Sequence, residues 1–125
     1  MKALGRTCWT VAGGHMPLEC HGPVPTFTSH DRLCFLNVTD QEAHVEVTLY
    51  YGNRAPVGPY KITIPARRVR KVRCNDLIDP EAPPLNTDYA AVIRSDVPVI
   101  LQFSRLDSQQ TENAIMGTIT FTADE

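Results

Sequence analysis

The sequence predicts an all-β fold, a single-domain sandwich of about eight strands. Three observations carry that expectation. Segments of alternating apolar and polar residues recur at about ten-residue intervals. No segment sustains the 3.6-residue apolar period of an amphipathic helix. Ten prolines and seven glycines fall between the alternating segments rather than in one tract, which is turn usage. With 125 residues the chain has the size of one domain, able to bury roughly two-thirds of its unfolded surface.

The first strand is expected over residues 6–12, with Thr7, Trp9 and Val11 on one face and Cys8, Thr10 and Ala12 on the other. Residues 13–25 hold three glycines and three prolines and read as a long loop in which His15, Glu19 and His21 are solvated or line a site. Ser29, His30 and Asp31 form a polar turn. Consecutive residues on extended chain point to alternate sides, so these three do not make a hydrolase triad among themselves. Residues 32–39 are apolar enough for a central strand.

Residues 43–77 organise the middle of the chain. Val45, Val47, Leu49 and Tyr51 alternate with His44, Glu46, Thr48 and Tyr50, giving one core face and one face that is wet or occupied. A Gly/Asn/Pro-rich break over residues 52–59 reverses the chain, and Tyr60 to Ile64 resumes the alternation with Ile62 and Ile64 inward. After Pro65 come Arg67, Arg68, Arg70, Lys71 and Arg73, five of the twelve basic residues within seven positions. Val69 and Val72 stand three apart, which predicts a bulge or an edge. The cations have three readings: charge that protects an edge from aggregation, contact with phosphate or DNA, or arginines that fork onto a carboxylate or vicinal hydroxyls in a cleft.

Residues 79–87 form a Pro-rich surface loop, residues 88–94 a strand with Tyr89, Ala91 and Ile93 on one face, and Ser95-Asp96 a turn into a strand over 97–104. The polar segment after it reads in two ways. Asp107 and Gln110 have capping-box spacing for a short helical turn, or Arg105, Asp107 and Gln109 present side chains at a strand end, where ligands meet sandwich loops. Residues 114–122 complete the set, with Ile115, Gly117, Ile119 and Phe121 on one face.

Composition narrows the function. A net charge of −2 argues against a protein that coats nucleic acid or an anionic membrane with its whole surface. No apolar core of signal-peptide length follows Met1, and no run approaches the roughly 20 residues that span a bilayer, so a cytoplasmic protein is expected. Cys8, Cys20, Cys34 and Cys74 include no Cys-x-x-Cys pair and read as reduced thiols. A metal set of His15, Cys20, His21 and His30 lacks the usual paired spacing. No nucleophile motif or phosphate loop occurs, so the expectation is a non-enzymatic protein without a cofactor.

The strings PVGPYKITIPARR, VRCNDLIDP, TDYAAVIRSDVP and RLDSQQTENA resemble the sensory rhodopsin transducer family, over nearly the whole chain from Gly5 to Phe121. The resemblance implies a jelly-roll-like sandwich, a compact homotetramer, and a small soluble bacterial protein that binds a small molecule. In members encoded beside a sensory rhodopsin it implies peripheral contact with that membrane protein. The sequence departs from the family pattern at Cys74, where an aromatic is expected, and at Phe103-Ser104, in place of a His-Thr pair. The expected function is signal transduction with binding of a small polar ligand, sugar-like or an anionic metabolite. The alternative is a DNA-binding regulator that uses the strand 67–73. The residues expected to line the ligand site are Trp9, His30, Arg67, Arg68, Asn75, Asp76, Arg105, Asp107 and Gln109. Trp9 packs in the core or serves as an aromatic platform for a sugar ring. A domain with apolar inner faces gains nothing from Arg67, Arg68, Asn75, Asp76, Arg105 and Asp107 at strand ends unless they pair with each other or with a ligand.

Overall fold

The computed structural model describes residues 4–16, 30–84, 86–107, 114–118 and 121–122. They form strands β1 (Arg6–Met16), β2 (His30–Asn37), β3 (Ala43–Tyr51), β4 (Val57–Ile64), β5 (Arg68–Arg73), β6 (Thr87–Asp107), β7 (Ala114–Thr118) and β8 (Phe121–Thr122), with one 3-10 turn at Cys74–Asp76. All pairings are antiparallel. No α-helix occurs among the described residues.

The main departure from expectation is β6. The strands expected over 88–94 and 97–104 are one 21-residue strand that bends instead of turning at Ser95-Asp96. Its first half pairs with β1 and β3, and its second half with β2 and β7. The ladders skip residues 96–98, which places Pro98 at the corner, where its missing N–H costs no ladder bond. One strand thereby belongs to both layers, β4-β3-β6-β1-β8 and β5-β2-β6-β7.

The core lies between the layers. Val45, Val47, Leu49, Tyr60, Ile62, Ile64 and Ile93 meet Leu33, Phe35, Leu101 and Phe103, each at most 5% exposed. The alternation of β3 and β4 is as expected, with Tyr60 buried on the face of Ile62 and Ile64 and Tyr50 on the outer face 41% exposed. β2 is central in its layer but buried on one face only, since Leu36 on the other is 38% exposed.

β1 continues four residues beyond its expected end. A register shift between Val11 and Gly14 absorbs the glycines, and the Tyr89 ring occupies the place where a Gly14 side chain would stand. His30 and Asp31 are strand residues rather than a turn, drawn into the β2–β6 ladder opposite Leu106 and Arg105. Asp107 is likewise a strand residue, paired with Ala114 of β7, and the helical turn expected to follow it lies outside the described residues. Gln109, Gln110, Glu19, Cys20 and His21 lie outside the described residues. Among the described residues β5 is an edge strand, paired with β2 alone in unbroken register, so the edge reading holds and the bulge does not.

Candidate functional site

One end of the sandwich holds a buried charge with its partners. There the end of β1, the start of β2, the end of β3 and both ends of β6 meet the 3-10 turn. At the centre is Asp31, 1% exposed. Its Oδ1 accepts from Arg105 Nε at 2.8 Å, and its Oδ2 accepts the His15 backbone N–H at 2.9 Å and the Tyr89 hydroxyl at 2.8 Å. Arg105 Nη2 reaches Oδ2 at 3.4 Å and donates to the Gly13 carbonyl at 2.7 Å. One carboxylate therefore holds β1, both halves of β6 and its own strand. Such a charge is tolerable in a core only when paired and hydrogen-bonded, and both conditions are met.

Around this centre the groups are graded by exposure. Tyr89 also hydrogen-bonds the Cys74 thiol, whose pKa burial pushes up to about 12, so Cys74 is a neutral packing group and not a nucleophile. Burial first, then the neighbouring Cys74 and Asp31, drive the Tyr89 phenol far above its ordinary value. At the rim His15 Nδ1 lies 2.6 Å from Asp88 Oδ1. Tyr51 stands opposite Tyr89 in register, and its hydroxyl is buried without a hydrogen-bond partner among the described residues. Arg54 lies over the Tyr51 ring, 5.3 Å from its centroid, and pairs with Glu81. The Glu81 carbonyl accepts the Tyr60 hydroxyl at 2.6 Å.

The expected site residues divide. Arg105 is at this end, joined through backbone position by His30, Asn75 and Asp107, and Asp76 lies beside Arg73 at 3.9 Å. Arg67 and Arg68 are at the opposite end of β5, five residues or roughly 17 Å from Arg73. Arg67 pairs with Asp40 at 2.7 Å, both exposed, and Arg68 donates to the Arg67 carbonyl. Trp9 is packed on the flank, its indole N–H shared between the carbonyls of Arg6 and Val99 at 3.2 and 3.0 Å. Asp31, Tyr89 and Tyr51 were not anticipated as site residues. The alternation placed both tyrosines inward but gave no sign that the Tyr89 hydroxyl meets a buried acid.

A second concavity lies on the outer face of β4-β3-β6, a groove of 510 Å³ lined by His44, Glu46, Lys61, Thr63, Arg94 and Asp96 among others. This is the polar face of β3 that the alternation marked as wet or occupied. Asp96 clamps His44, accepting its backbone N–H at 2.8 Å and facing Nδ1 at 2.7 Å, while Nε2 lies 3.1 Å from Glu42. The hydrogen bond and charge of Asp96, with Glu42 adding to them against slight desolvation, raise the His44 pKa above its ordinary 6.5. Partial desolvation pulls Asp96 upward, but the bonds from His44 outweigh it and hold the carboxyl below 3.8. A raised histidine contributes stability that is complete below pH 6.5 and fades as pH rises through its folded value. A lowered carboxylate contributes stability that is complete above pH 3.8 and fades as pH falls. His44→Ala is therefore expected to lower stability more at pH 5.5 than at pH 9, as urea unfolding at the two pH values checks. An equal loss at both would remove His44 from the pH response.

With this geometry in view, the comparisons decide the family. The sequence profile described as Anabaena sensory rhodopsin transducer matches residues 4–122. The chain belongs to this family. Among solved structures, the Anabaena sensory rhodopsin transducer is similar with 50% identity and a TM-score of 0.76, over 82% of this chain and 99% of that one. Thermotoga maritima 1070 is similar with 27% identity and a TM-score of 0.83, over 95% and 96% of the two chains. No curated protein matches. As a transducer-family member the chain is related to a signalling domain, and no helix among its described residues is long and apolar enough to cross a membrane.

Proposed function

We propose that this member of the transducer family is a non-enzymatic signal-relay domain that binds a small polar ligand, sugar-like or an anionic metabolite, at the Asp31 end of the sandwich. The observation that carries this reading is the Tyr51 hydroxyl, buried without a hydrogen-bond partner among the described residues, on the strand position paired with Tyr89 of the Asp31 network. An orphaned buried hydroxyl costs about 1–3 kcal/mol, and a ligand hydroxyl or carboxylate answers it. Arg54 and Arg105 supply cations at the same end for an anionic group. The expected Asp76, His30, Asn75, Asp107 and Gln109 belong to this proposal through their places in the chain around the 3-10 turn and the β6–β7 connection.

The test is a thermal-shift screen of sugars, sugar acids and nucleotides on the native protein and on Tyr51→Phe. A true ligand at a hundredfold excess over its Kd stabilises by roughly 2.7 kcal/mol. Tyr51→Phe is expected to leave the unliganded protein as stable as native, or more so, and to lose most of the ligand response. The reading fails when no compound shifts the native protein, or when both proteins shift alike. The groove at His44 favours a second location for the ligand, which loss of the shift in Lys61→Ala, with Tyr51→Phe unaffected, would select.

The homotetramer, the peripheral contact with a membrane sensory rhodopsin and the cytoplasmic location carry over from the family as parts of this proposal. Light scattering at micromolar concentration is expected to give about four times the 13.9 kDa chain mass, and a monomer overturns the assembly. The DNA reading gains nothing from the geometry: Arg67 is engaged by Asp40, and Arg70 donates to the Thr63 carbonyl at 2.7 Å.

A further inference from the structure

The edge strand β5 reads Arg68-Val-Arg-Lys-Val-Arg73, in which the order of charged and apolar residues is the same in both directions. Register with β2 fixes the faces. Arg68, Arg70 and Val72 stand beside Asn37, Phe35 and Leu33 on the core side, and Val69, Lys71 and Arg73 beside Leu36, Cys34 and Arg32 on the outer side. Among the described residues β5 pairs with β2 alone, so alternate backbone N–H and C=O groups along it point away from the sheet. Arg68, Arg70 and Lys71 are exposed, and Val69 is 62% exposed.

We infer that β5 is a docking edge for an extended acidic segment of another protein, which adds to the sheet as a further strand. An added strand places each residue opposite one of β5, on the same face, with Cβ atoms about 5 Å apart. The complementary segment therefore reads acid, apolar, acid, acid, apolar, acid, and the symmetry of β5 lets it bind parallel or antiparallel. Main-chain bonds provide affinity and the alternating side chains provide selection. A second copy of this chain is a poor occupant, because edge-to-edge pairing would set cation against cation. A nucleic acid fits less well. Its phosphates would approach from one side, whereas these cations are divided between two faces, and it offers no match for Val69 or for the outward backbone groups. Protection of the edge from aggregation accounts for a lysine or two but not for the exposed Val69.

The probes are a synthetic twelve-residue peptide carrying the acid–apolar–acid–acid–apolar–acid pattern, a scrambled peptide of the same composition, and a single-stranded oligonucleotide of equal charge. Binding is read by fluorescence anisotropy and by NMR amide shifts on the native full chain. The patterned peptide is expected to bind at least tenfold more tightly than the scrambled one and to shift amides along residues 68–73. The exposed charge reversals Arg68→Glu and Lys71→Glu, shown to be folded by circular dichroism, are each expected to weaken it at least tenfold. Equal binding of the scrambled peptide or the oligonucleotide, amide shifts elsewhere, or no binding overturns the inference.

Discussion

Asp31→Ala is expected to destabilise the protein by about 3–5 kcal/mol, the range seen when one partner of a buried ion pair is removed. The substitution leaves the partly buried Arg105 guanidinium without its counter-ion, the Tyr89 hydroxyl without an acceptor, and the His15 N–H without the bond that seats the end of β1. Since a domain of this size has only about 5–15 kcal/mol in hand, urea unfolding should show the midpoint falling sharply. Replacing both members of the pair by apolar residues, Asp31→Leu with Arg105→Met, should cost clearly less than the sum of the single changes, because no charge is then stranded. Additivity of the two would mean that they do not act as a pair.

Asn37→Ala is the second large effect, expected at about 2–4 kcal/mol. Asn37 is fully buried, and its amide nitrogen donates to the carbonyls of Gln41, Ile64 and Pro65 at 2.7, 3.2 and 3.3 Å, while Oδ1 accepts the Thr39 backbone N–H and hydroxyl at 3.0 and 2.7 Å. One side chain thus ties the β2–β3 turn to the end of β4 and the start of the β4–β5 turn. Asn37→Asp keeps the acceptor but turns a negative charge on three carbonyl oxygens, so it should be at least as damaging at neutral pH. Unfolding in urea ranks the two variants, and a loss below about 0.5 kcal/mol for either would show that the amide is not the tie described.

The architecture was legible because its signals are local. Alternation in β3 and β4 set Val45, Val47, Leu49, Ile62 and Ile64 inward, and all five are buried. The edge position of β5 could be read from its cations and the three-residue spacing of its valines. The corner of β6 was not legible, because Ser95-Asp96 followed two residues later by proline has the composition of a turn; pairing with β1, β2 and β3 decides that the chain bends there. Nor was the Asp31 network. Ser29-His30-Asp31 looks like a polar turn, and only the register bringing Arg105 opposite Asp31, with Tyr89 reaching across the layers, makes the acid a buried hub. Arg105 was legible as a group needing a partner, though the sequence left open whether that partner was a ligand or the protein itself. Arg67 and Arg68 were drawn to the same site by proximity in sequence, yet a strand of six residues carries its two ends far apart.

The measurement that bears most directly on the proposed ligand site is hydrogen–deuterium exchange on the native protein, with and without the compound that gives the largest thermal shift. Binding at the Asp31 end should slow exchange over residues 13–16, 51–54 and 87–90, and the slowing should vanish in Tyr51→Phe. Slowing over residues 44–46 and 61–63 instead, or none under saturating ligand, would contradict the assignment.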